Sequence, residues 1–490
     1  MQLHEALELA LQHHNAGELS QAEFIYRRIL DAEPNQPGAL HLLGVLSLQT
    51  GNKETAADLL SQAAEIDPDN SETHVNLGVA LQALGRLAAA VESYRRAVAI
   101  EPDYAEAHNN LGVSLRDLGR LDEAVEHYRK ALAIRPDYAG AHFNLGTALR
   151  SLGQLEAAVV SYRDALAIKP DYAEAYVNMG IAQQYLEQLD AAVESYHTAI
   201  EIDPEVGEAR INLGSTLMKL GRFEDALAAF EAVDTPLCRA RRLECLFALG
   251  DYEAFFETPR DFPDGDETNI RAATINAFAS HQLDRADPHR FCPRPLDFVR
   301  AYKNFDSVDD VDGFLRQLTA ELKSRDAVWE PHRKSTIGGF QTPSILFDDP
   351  TGRLAELKRI VLDKIAAYRT EFAAEDCAFI TRFPENFSLK AWFVRLLKDG
   401  HQNAHIHASG WLSGVFYVHV PAFEDQEQGA IEFSLWGYDY PVLNDAHPKK
   451  RHSPTTGDIV LFPSSLFHRT IPFQADEERM IVAFDVVPKP

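Results

Sequence analysis

Three histidines in the C-terminal half of the chain have a spacing that suits a metal site. His405 and His407 are two residues apart in GHQNAHIHASGWLSGVFYVHVP, so on a strand both side chains point to the same face. His468 follows about 60 residues later in GDIVLFPSSLFHRTIPF, where a strand, a proline turn and a further strand are predicted. Neutral imidazoles are common ligands of transition metals. The pattern therefore predicts a metal site in this half.

Other residues lie where they could complete such a site. Arg479 comes eleven residues after His468 and leads the apolar strand MIVAFDVV, where a charge is costly unless it faces a ligand or a partner. Asn403 and Arg395 are predicted to contact a co-substrate, and Trp411 is predicted to contact the substrate. Core packing of Trp411 and an ion pair at Arg395 are the open alternatives.

Predicted strands must position these side chains. Aromatic and β-branched residues become frequent after about residue 296, with regular Gly and Pro between them. Apolar or alternating runs predict the strands Lys390–Leu397, Leu412–Val420, Ala430–Ser434, Asp458–Phe462 and Met480–Val487. Helices are predicted before them, near Val308–Ser324 and Gly352–Phe372.

These motifs resemble the 2-oxoglutarate/Fe(II)-dependent oxygenases, whose pattern is His-x-Asp/Glu, a distal His, and an Arg some ten residues on. By this resemblance His405 and His468 bind iron, and Arg479 binds the remote carboxylate of 2-oxoglutarate as a bidentate pair. GGFQT, FCPRPLDF, HIHASGWLSGVFYV and LFPSSLFH extend the resemblance over most of residues 290–490, to bacterial oxygenases that are joined to tetratricopeptide repeats. It implies a double-stranded β-helix (jelly-roll) domain that uses Fe(II), 2-oxoglutarate and O2.

The chain departs from the family pattern at one ligand. His407 occupies the position of the Asp or Glu. We favour direct ligation by His407, which gives a three-histidine site. The alternatives are a water in place of the acid, as in aspartyl/asparaginyl β-hydroxylase, and a carboxylate from elsewhere in the chain, for which Glu432 is the candidate.

The first half of the chain repeats every 34 residues. Most units carry a Leu/Met-Gly pair, a later glycine, an alanine, an aromatic residue and a closing proline at constant phase. Small residues let the two helices of a hairpin approach, and proline ends the second helix. The pattern resembles the tetratricopeptide repeat and predicts seven hairpins over about residues 3–240. At Glu187 the later glycine is replaced, so this turn is expected to form without a positive φ.

In five successive repeats, one asparagine precedes the Leu/Met-Gly pair. These residues are Asn76, Asn110, Asn144, Asn178 and Asn212. They resemble the asparagine ladder of the O-GlcNAc transferase superhelix, and this resemblance implies that the groove binds an extended peptide. An amide offers both a donor and an acceptor to a peptide backbone. The alternative is that Asn is simply common at this repeat position.

The chain is thus predicted to be multidomain. We expect an all-α tetratricopeptide-repeat superhelix over residues 1–254, a connector over 255–295, and the β-helix domain with flanking helices over 296–490. The segment ETPRDFPDGDET, rich in Pro, Asp and Gly, marks the first boundary.

Composition excludes several other classes. A formal charge of −27 disfavours nucleic acid as a partner. No apolar stretch is long enough for a membrane span, and the N-terminus lacks the basic region of a signal peptide, so a cytoplasmic location is expected. The four cysteines form no CxxC pair and are expected to be reduced.

The resemblance implies a dioxygenase that hydroxylates a peptide or protein side chain held by the repeats. Two alternatives remain from the sequence. One is a cupin-like metalloprotein that does not use 2-oxoglutarate, and the other is a peptide-binding scaffold whose β-domain is not catalytic. The substrate, the residue oxidised and the oligomeric state are left open.

Overall fold

The computed structural model of this chain describes residues 3–258, 268–303, 308–331, 334–423, 425, 427–438, 440–444 and 448–489. It forms two compact units, residues 1–220 and 221–490. Most of the Pro- and Asp-rich segment that was predicted to be the first boundary lies outside the described residues. The domain limits predicted at residues 254 and 295 stay predictions.

The first unit consists of helical hairpins. Its helices are α1 Leu3–Asn15, α2 Leu19–Ala32, α3 Pro37–Gln49, α4 Lys53–Ile66, α5 Ser71–Ala83, α6 Leu87–Ile100, α7 Ala105–Asp117, α8 Leu121–Ile134, α9 Ala139–Ser151, α10 Leu155–Ile168, α11 Ala173–Tyr185, α12 Leu189–Ile202 and α13 Gly207–Lys219. From α3 onward, the first helix of each hairpin begins 34 residues after the previous one. The predicted period is therefore confirmed as a structural repeat.

Close packing explains why the repeat needs a small residue in its first helix. The fully buried ring of Tyr128 lies against Gly112, where an added Cβ would come within 2.6 Å of the ring. Gly146 faces Tyr162 in the same way, at 2.7 Å. A Cβ at such distances requires a neighbour to move, so glycine at this position allows the two helices of a hairpin to meet.

The turn at Glu187 differs from the expectation. Glu187 has φ +57°, close to the positive φ values of Gly153 and Gly221, which occupy the equivalent positions of neighbouring repeats. The expectation of a turn without positive φ is wrong. The helices on both sides fix the path of the chain, so Glu187 takes a conformation that costs a residue with a Cβ on the order of 1 kcal/mol.

The second unit contains helices and two antiparallel sheets. Its helices are α14 Phe223–Glu231, α15 Pro236–Leu249, α16 Tyr252–Glu257, α17 Ile270–Leu283, α18 Val311–Lys323, α19 Gly352–Glu371 and α20 Ala378–Thr381. Its strands are β1 Arg300–Tyr302, β2 Val328–Trp329, β3 Thr336–Gln341, β4 Phe387–Gln402, β5 Leu412–His419, β6 Ile431–Ser434, β7 Lys449–His452, β8 Ile459–Pro463, β9 Phe467–Thr470 and β10 Arg479–Pro488.

The larger sheet has seven strands in the order β1-β8-β5-β10-β4-β3-β2, and the smaller has three in the order β7-β6-β9. All five strands predicted from apolar runs are present, as are the two predicted helices. Strand β7 was not predicted, because KKRH is charged and mostly exposed and shows no apolar alternation. Helical repeats followed by antiparallel sheets are thus confirmed.

A buried ion cluster joins α15 and α17 to the segment after β6. Glu244 is 3% exposed and accepts hydrogen bonds from Arg271 Nη2 at 3.2 Å and Arg241 Nη1 at 2.9 Å, and Arg271 Nε lies 2.7 Å from its carboxylate. The hydroxyl of Tyr440 donates to the same carboxylate at 3.0 Å. These helices therefore pack as part of the second unit.

The four cysteines carry no disulfide. Cys292 and Cys377 are neighbours, and a hydrogen bond from the thiol of Cys292 lowers the pKa of Cys377 to about 7. Burial raises the pKa of Cys245 to about 12. None of the helices in the described part of the chain combines the length and apolarity that a bilayer span requires.

Candidate metal centre

Backbone pairing brings the three histidines together. The segment before β5 lies along β9, with His405 N–H donating to His468 O at 3.2 Å and His468 N–H donating to His405 O at 3.1 Å. His407 N–H donates to Ser464 O at 3.1 Å. The ring centroids are then 4.3 to 5.0 Å apart, and one ligand atom from each histidine lies within 4.8 Å of the others.

Hydrogen bonds select the nitrogen that each ring offers. The Nδ1 atoms of His405 and His468 lie 2.7 Å from Asn403 O and 3.2 Å from Leu466 O. Nδ1 of His407 lies 2.6 Å from Oδ1 of Asp485. Carbonyl and carboxylate oxygens only accept, so each Nδ1 is the donor, and in a neutral ring the lone pair is then on Nε2. The three Nε2 atoms are the nitrogens available to a metal.

Burial keeps two of the rings in the ligating form. Burial, with a smaller contribution from His407, lowers the pKa of His405 to about 3. Burial also holds the pKa of His468 well below its ordinary value, and the neighbouring His405 and His407 add to the effect. Both imidazoles are therefore neutral at physiological pH, and a neutral imidazole is what a metal ion binds.

A buried arginine lies along the same cavity. Arg479 is 1% exposed, and the cavity that it lines also contains the three histidines and Tyr417. Its guanidinium carbon is 5.1 Å from the Tyr417 ring centroid, and burial lowers its pKa. Within the described residues, Arg479 Nε and Nη1 have no hydrogen-bond partner. A buried guanidinium with unused donors is costly and suits a carboxylate ligand.

The cavity is narrow. Its free volume is about 10 Å³, which is room for one water molecule. A dicarboxylate ligand therefore requires side chains along the cavity to move when it binds. Trp392 is one of these, with its ring centroid 5.4 Å from that of His407.

Arg395 is not brought to this cavity, contrary to the prediction. On paired strands Arg395 lies opposite Met480, whereas Arg479 lies opposite Leu396. Directly opposed residues share a face and successive residues alternate, so Arg395 and Arg479 point to opposite faces of the sheet. Arg395 instead stacks on Phe340 at 4.5 Å and pairs with Glu478 at 3.6 Å.

Trp411 is a core residue, contrary to the predicted contact with substrate. It is 5% exposed, its Nε1 donates to Phe379 O at 2.8 Å, and its ring packs edge-on against Phe291. Asn403 contributes its backbone carbonyl to His405, and its side chain is exposed.

Glu432 also faces away from the histidines. Phe433 is the residue of β6 opposite His468, and Glu432 is opposite Arg469 on the other face of the sheet. The Glu432 carboxylate accepts from Arg451 Nε at 2.6 Å and from Arg469 Nε at 2.8 Å. Because both oxygens are already engaged on that face, Glu432 does not complete the histidine cluster.

Asp485 was missed in the sequence, although a signal was available. It is a lone acid within the apolar strand MIVAFDVV, and it is 6% exposed. Besides His407, its Oδ1 accepts from Ser413 Oγ at 2.7 Å, and Ser413 Oγ lies 2.8 Å from Ser464 Oγ. A buried carboxylate needs partners of this kind.

The asparagines of the repeats occupy equivalent positions of the first helices, and all five are partly exposed. Some of their amides are already bonded. Asn144 Nδ2 donates to Asn109 Oδ1 at 3.0 Å, and Asn109 donates in turn to Asn110 at 3.2 Å. Asn178 donates to Glu174 O at 2.9 Å.

Fold and site together define a repeat protein with an antiparallel β-domain in which three imidazoles lie close enough together to hold a metal ion. Residues 390–485 match the family described as "Putative 2OG-Fe(II) oxygenase". Tetratricopeptide-repeat families match residues 14–74, 59–92, 81–115, 103–171 and 177–237. The chain therefore carries a 2OG-Fe(II) oxygenase-family domain after tetratricopeptide repeats, which confirms both resemblances.

Solved structures resemble parts of the chain. MamA is 26% identical, with 34% of this chain and 92% of MamA covered and a TM-score of 0.33. YrrB, described as a TPR protein with an unusual peptide-binding site, is 20% identical over 38% of this chain and 95% of its own, with a TM-score of 0.34. PilF of Pseudomonas aeruginosa is 21% identical over 44% and 96%, with a TM-score of 0.37. No curated protein matches this chain.

Proposed function

We propose that the protein is an Fe(II)- and 2-oxoglutarate-dependent dioxygenase that hydroxylates a side chain of a peptide or protein bound by the repeats. One observation carries the proposal: a buried arginine, with donors that lack partners among the described residues, shares a cavity with three histidines that each offer a ring nitrogen within 4.8 Å of the others. We also propose that the seven-stranded and three-stranded sheets are the two halves of a double-stranded β-helix.

The donor set fits iron and the co-substrate. His405, His407 and His468 hold Fe(II) through imidazole nitrogens, which suit this metal. Arg479 binds the remote carboxylate of 2-oxoglutarate, and its burial strengthens that ion pair by excluding water. When bound, iron and 2-oxoglutarate supply the oxidative decarboxylation that activates O2 for insertion of an oxygen atom into a C–H bond.

The repeats would bind the polypeptide. Asn76, Asn110, Asn144, Asn178 and Asn212 recur at one position of successive hairpins, which suits the regular spacing of an extended backbone. Replacing Asn110, Asn144 and Asn178 with Ala should weaken turnover of a peptide substrate and leave substrate-independent formation of succinate unchanged. An equal loss in both assays would show that the asparagines only stabilise the repeats.

The decisive experiment measures co-substrate binding. The full chain is titrated with Fe(II) under argon and then with 2-oxoglutarate, and succinate is assayed after oxygen is admitted. Arg479→Ala should raise the apparent KM for 2-oxoglutarate about 100-fold, the loss expected when a buried charged hydrogen-bond pair of about 3 kcal/mol is removed. Arg395→Ala is the matched control, because Arg395 faces away from the cavity, and its KM should not change. Unaltered 2-oxoglutarate binding by Arg479→Ala would exclude the proposal.

The ligand set favours one second candidate. Three histidines without a carboxylate are also the ligand pattern of cupin-like metalloproteins, which do not use 2-oxoglutarate. Such a protein would bind Fe(II) and leave 2-oxoglutarate unconsumed in the same assay. A scaffold would bind neither. Mass spectrometry of co-purifying peptides, with a search for the mass of one added oxygen, then addresses the substrate.

A further inference from the structure

We infer that Asp485 is a positioning residue that supplies, from behind His407, the negative charge that a carboxylate ligand supplies in the family pattern. This inference rests on the proposed function, since it assumes that the histidines hold a metal. The negative charge then lies one imidazole ring away from the metal, whereas a carboxylate ligand would contact the metal directly. His407 and Asp485 together would then act as an extended anionic ligand.

The geometry of Asp485 supports this role. Its Oδ1 is 2.6 Å from His407 Nδ1 and 2.7 Å from Ser413 Oγ, and both of these groups donate to it. Gly410 leaves little room around the pair, because a Cβ there would lie 3.3 Å from Asp485 Cγ and 2.7 Å from Ser464 Oγ. The carboxylate is therefore fixed in position, and it fixes which nitrogen of His407 faces the cavity.

The charge of Asp485 is not otherwise compensated. Across the described residues, its Oδ1 lies 2.6 Å from His407 Nδ1, and no Lys or Arg forms an ion pair with it. Compare Glu432, a similarly buried acid that contacts two arginines. A buried carboxylate without a cation is destabilising, and a cation bound on the far side of the imidazole would offset that cost. The arrangement of carboxylate, histidine and metal is a recurrent one in metal sites.

This placement accounts for the departure at His407. Replacement of a carboxylate ligand by a neutral histidine alone would raise the net charge of the centre by one unit. The carboxylate of Asp485 restores the missing negative charge, one imidazole ring away from the metal. The site then keeps the overall charge of a centre with two histidines and one carboxylate, and its iron should remain a comparably strong reductant.

The first test is metal affinity of the full chain, measured by anaerobic titration with Fe(II) and with Mn(II) in the absence of 2-oxoglutarate. Asp485→Asn should weaken binding of both metals by about 10- to 100-fold, the usual effect of losing such a partner. It should also raise the reduction potential of the iron. Ser464→Ala is the matched control, since it removes the hydroxyl that contacts Ser413 and keeps the backbone carbonyl that accepts from His407 N–H. It should bind metal as the native chain does.

A double-mutant cycle separates charge from structure. His407→Asp in the native background places two carboxylates together, so it should bind Fe(II) more weakly than the native chain. The same substitution in the Asp485→Asn background should strengthen binding relative to Asp485→Asn alone. Equal effects of His407→Asp in both backgrounds would overturn the inference.

The outcomes distinguish this inference from the proposed function. If the native chain binds no Fe(II), the proposed function fails. If the native chain binds Fe(II) and Asp485→Asn binds it equally well, only the inference fails. Should Asp485→Asn not fold, as judged by its thermal transition, His407→Asp alone decides the matter, because tighter binding than native overturns the inference.

Discussion

The buried cluster around Glu244 offers a direct test of how the second unit is built. Glu244→Gln keeps the shape of the side chain and removes its charge. Arg271 and Arg241 then lose the carboxylate that they contact at 2.7 and 2.9 Å. Loss of one partner from a buried ion pair costs about 3–5 kcal/mol. At roughly 2–4 °C per kcal/mol for a unit of this size, the thermal midpoint should fall by about 6–20 °C.

Tryptophan fluorescence of the full chain reads this effect selectively. All four tryptophans lie in the second unit, at Trp329, Trp392, Trp411 and Trp436. Glu253→Gln is the control, because Glu253 pairs with Arg285 at the surface and its side chain is 73% exposed. Surface pairs contribute little, so its midpoint should not move.

A fluorescence midpoint of Glu244→Gln that matches the Glu253→Gln control would refute this account. It would mean that α15 and α17 are peripheral to the β-domain. The expected fall would instead show that a chain truncated to residues 296–490 lacks part of its own core. The limits of the β-domain would then have to be drawn before α15.

Three further predictions concern the repeats and the thiols. Gly146→Ala should lower the free energy of unfolding, measured by urea titration of the helical circular dichroism signal, by about 1–3 kcal/mol, because its Cβ would meet Tyr162. Gly207→Ala, with open space around it, should not lower this free energy. Glu187→Gly should raise the same free energy of unfolding by about 0.5–1 kcal/mol, because glycine adopts a positive φ without strain. A lower free energy of unfolding would contradict the strain at Glu187. Cys377 should be alkylated before the other cysteines, at a rate that rises through about pH 7 as its thiolate forms. Tryptic mass spectrometry identifies the modified cysteine, and a buried cysteine modified first would contradict the prediction.

Much of the fold was predictable from local patterns. The 34-residue period fixed the helices of the first unit, since each position of a repeat meets the same neighbours in the next. Apolar runs located β4, β5 and β10 because strand periodicity is a local property. The charged edge strand β7 carried no such signal.

The candidate site was only partly predictable. His405 and His407 share a face because residues two apart on an extended chain always do. Which face that is, and what else lies on it, depends on register between strands that are distant in sequence. In the observed register, Arg395 points away from the cavity and Glu432 contacts two arginines. The same pairing of strands brings Asp485 within hydrogen-bond distance of His407 Nδ1.

The sequence by itself determined the repeat, the strands and the types of residue able to bind a metal, because these follow from spacing along the chain. Only the tertiary structure shows which nitrogen each histidine presents and that Glu187 adopts a positive φ. It also shows that Arg479 is buried and has donors without a partner among the described residues. The physical reason is that hydrogen-bond partners, burial and strain arise from contacts between segments far apart in sequence. One residue's shift in register would reverse the faces and change all of these contacts.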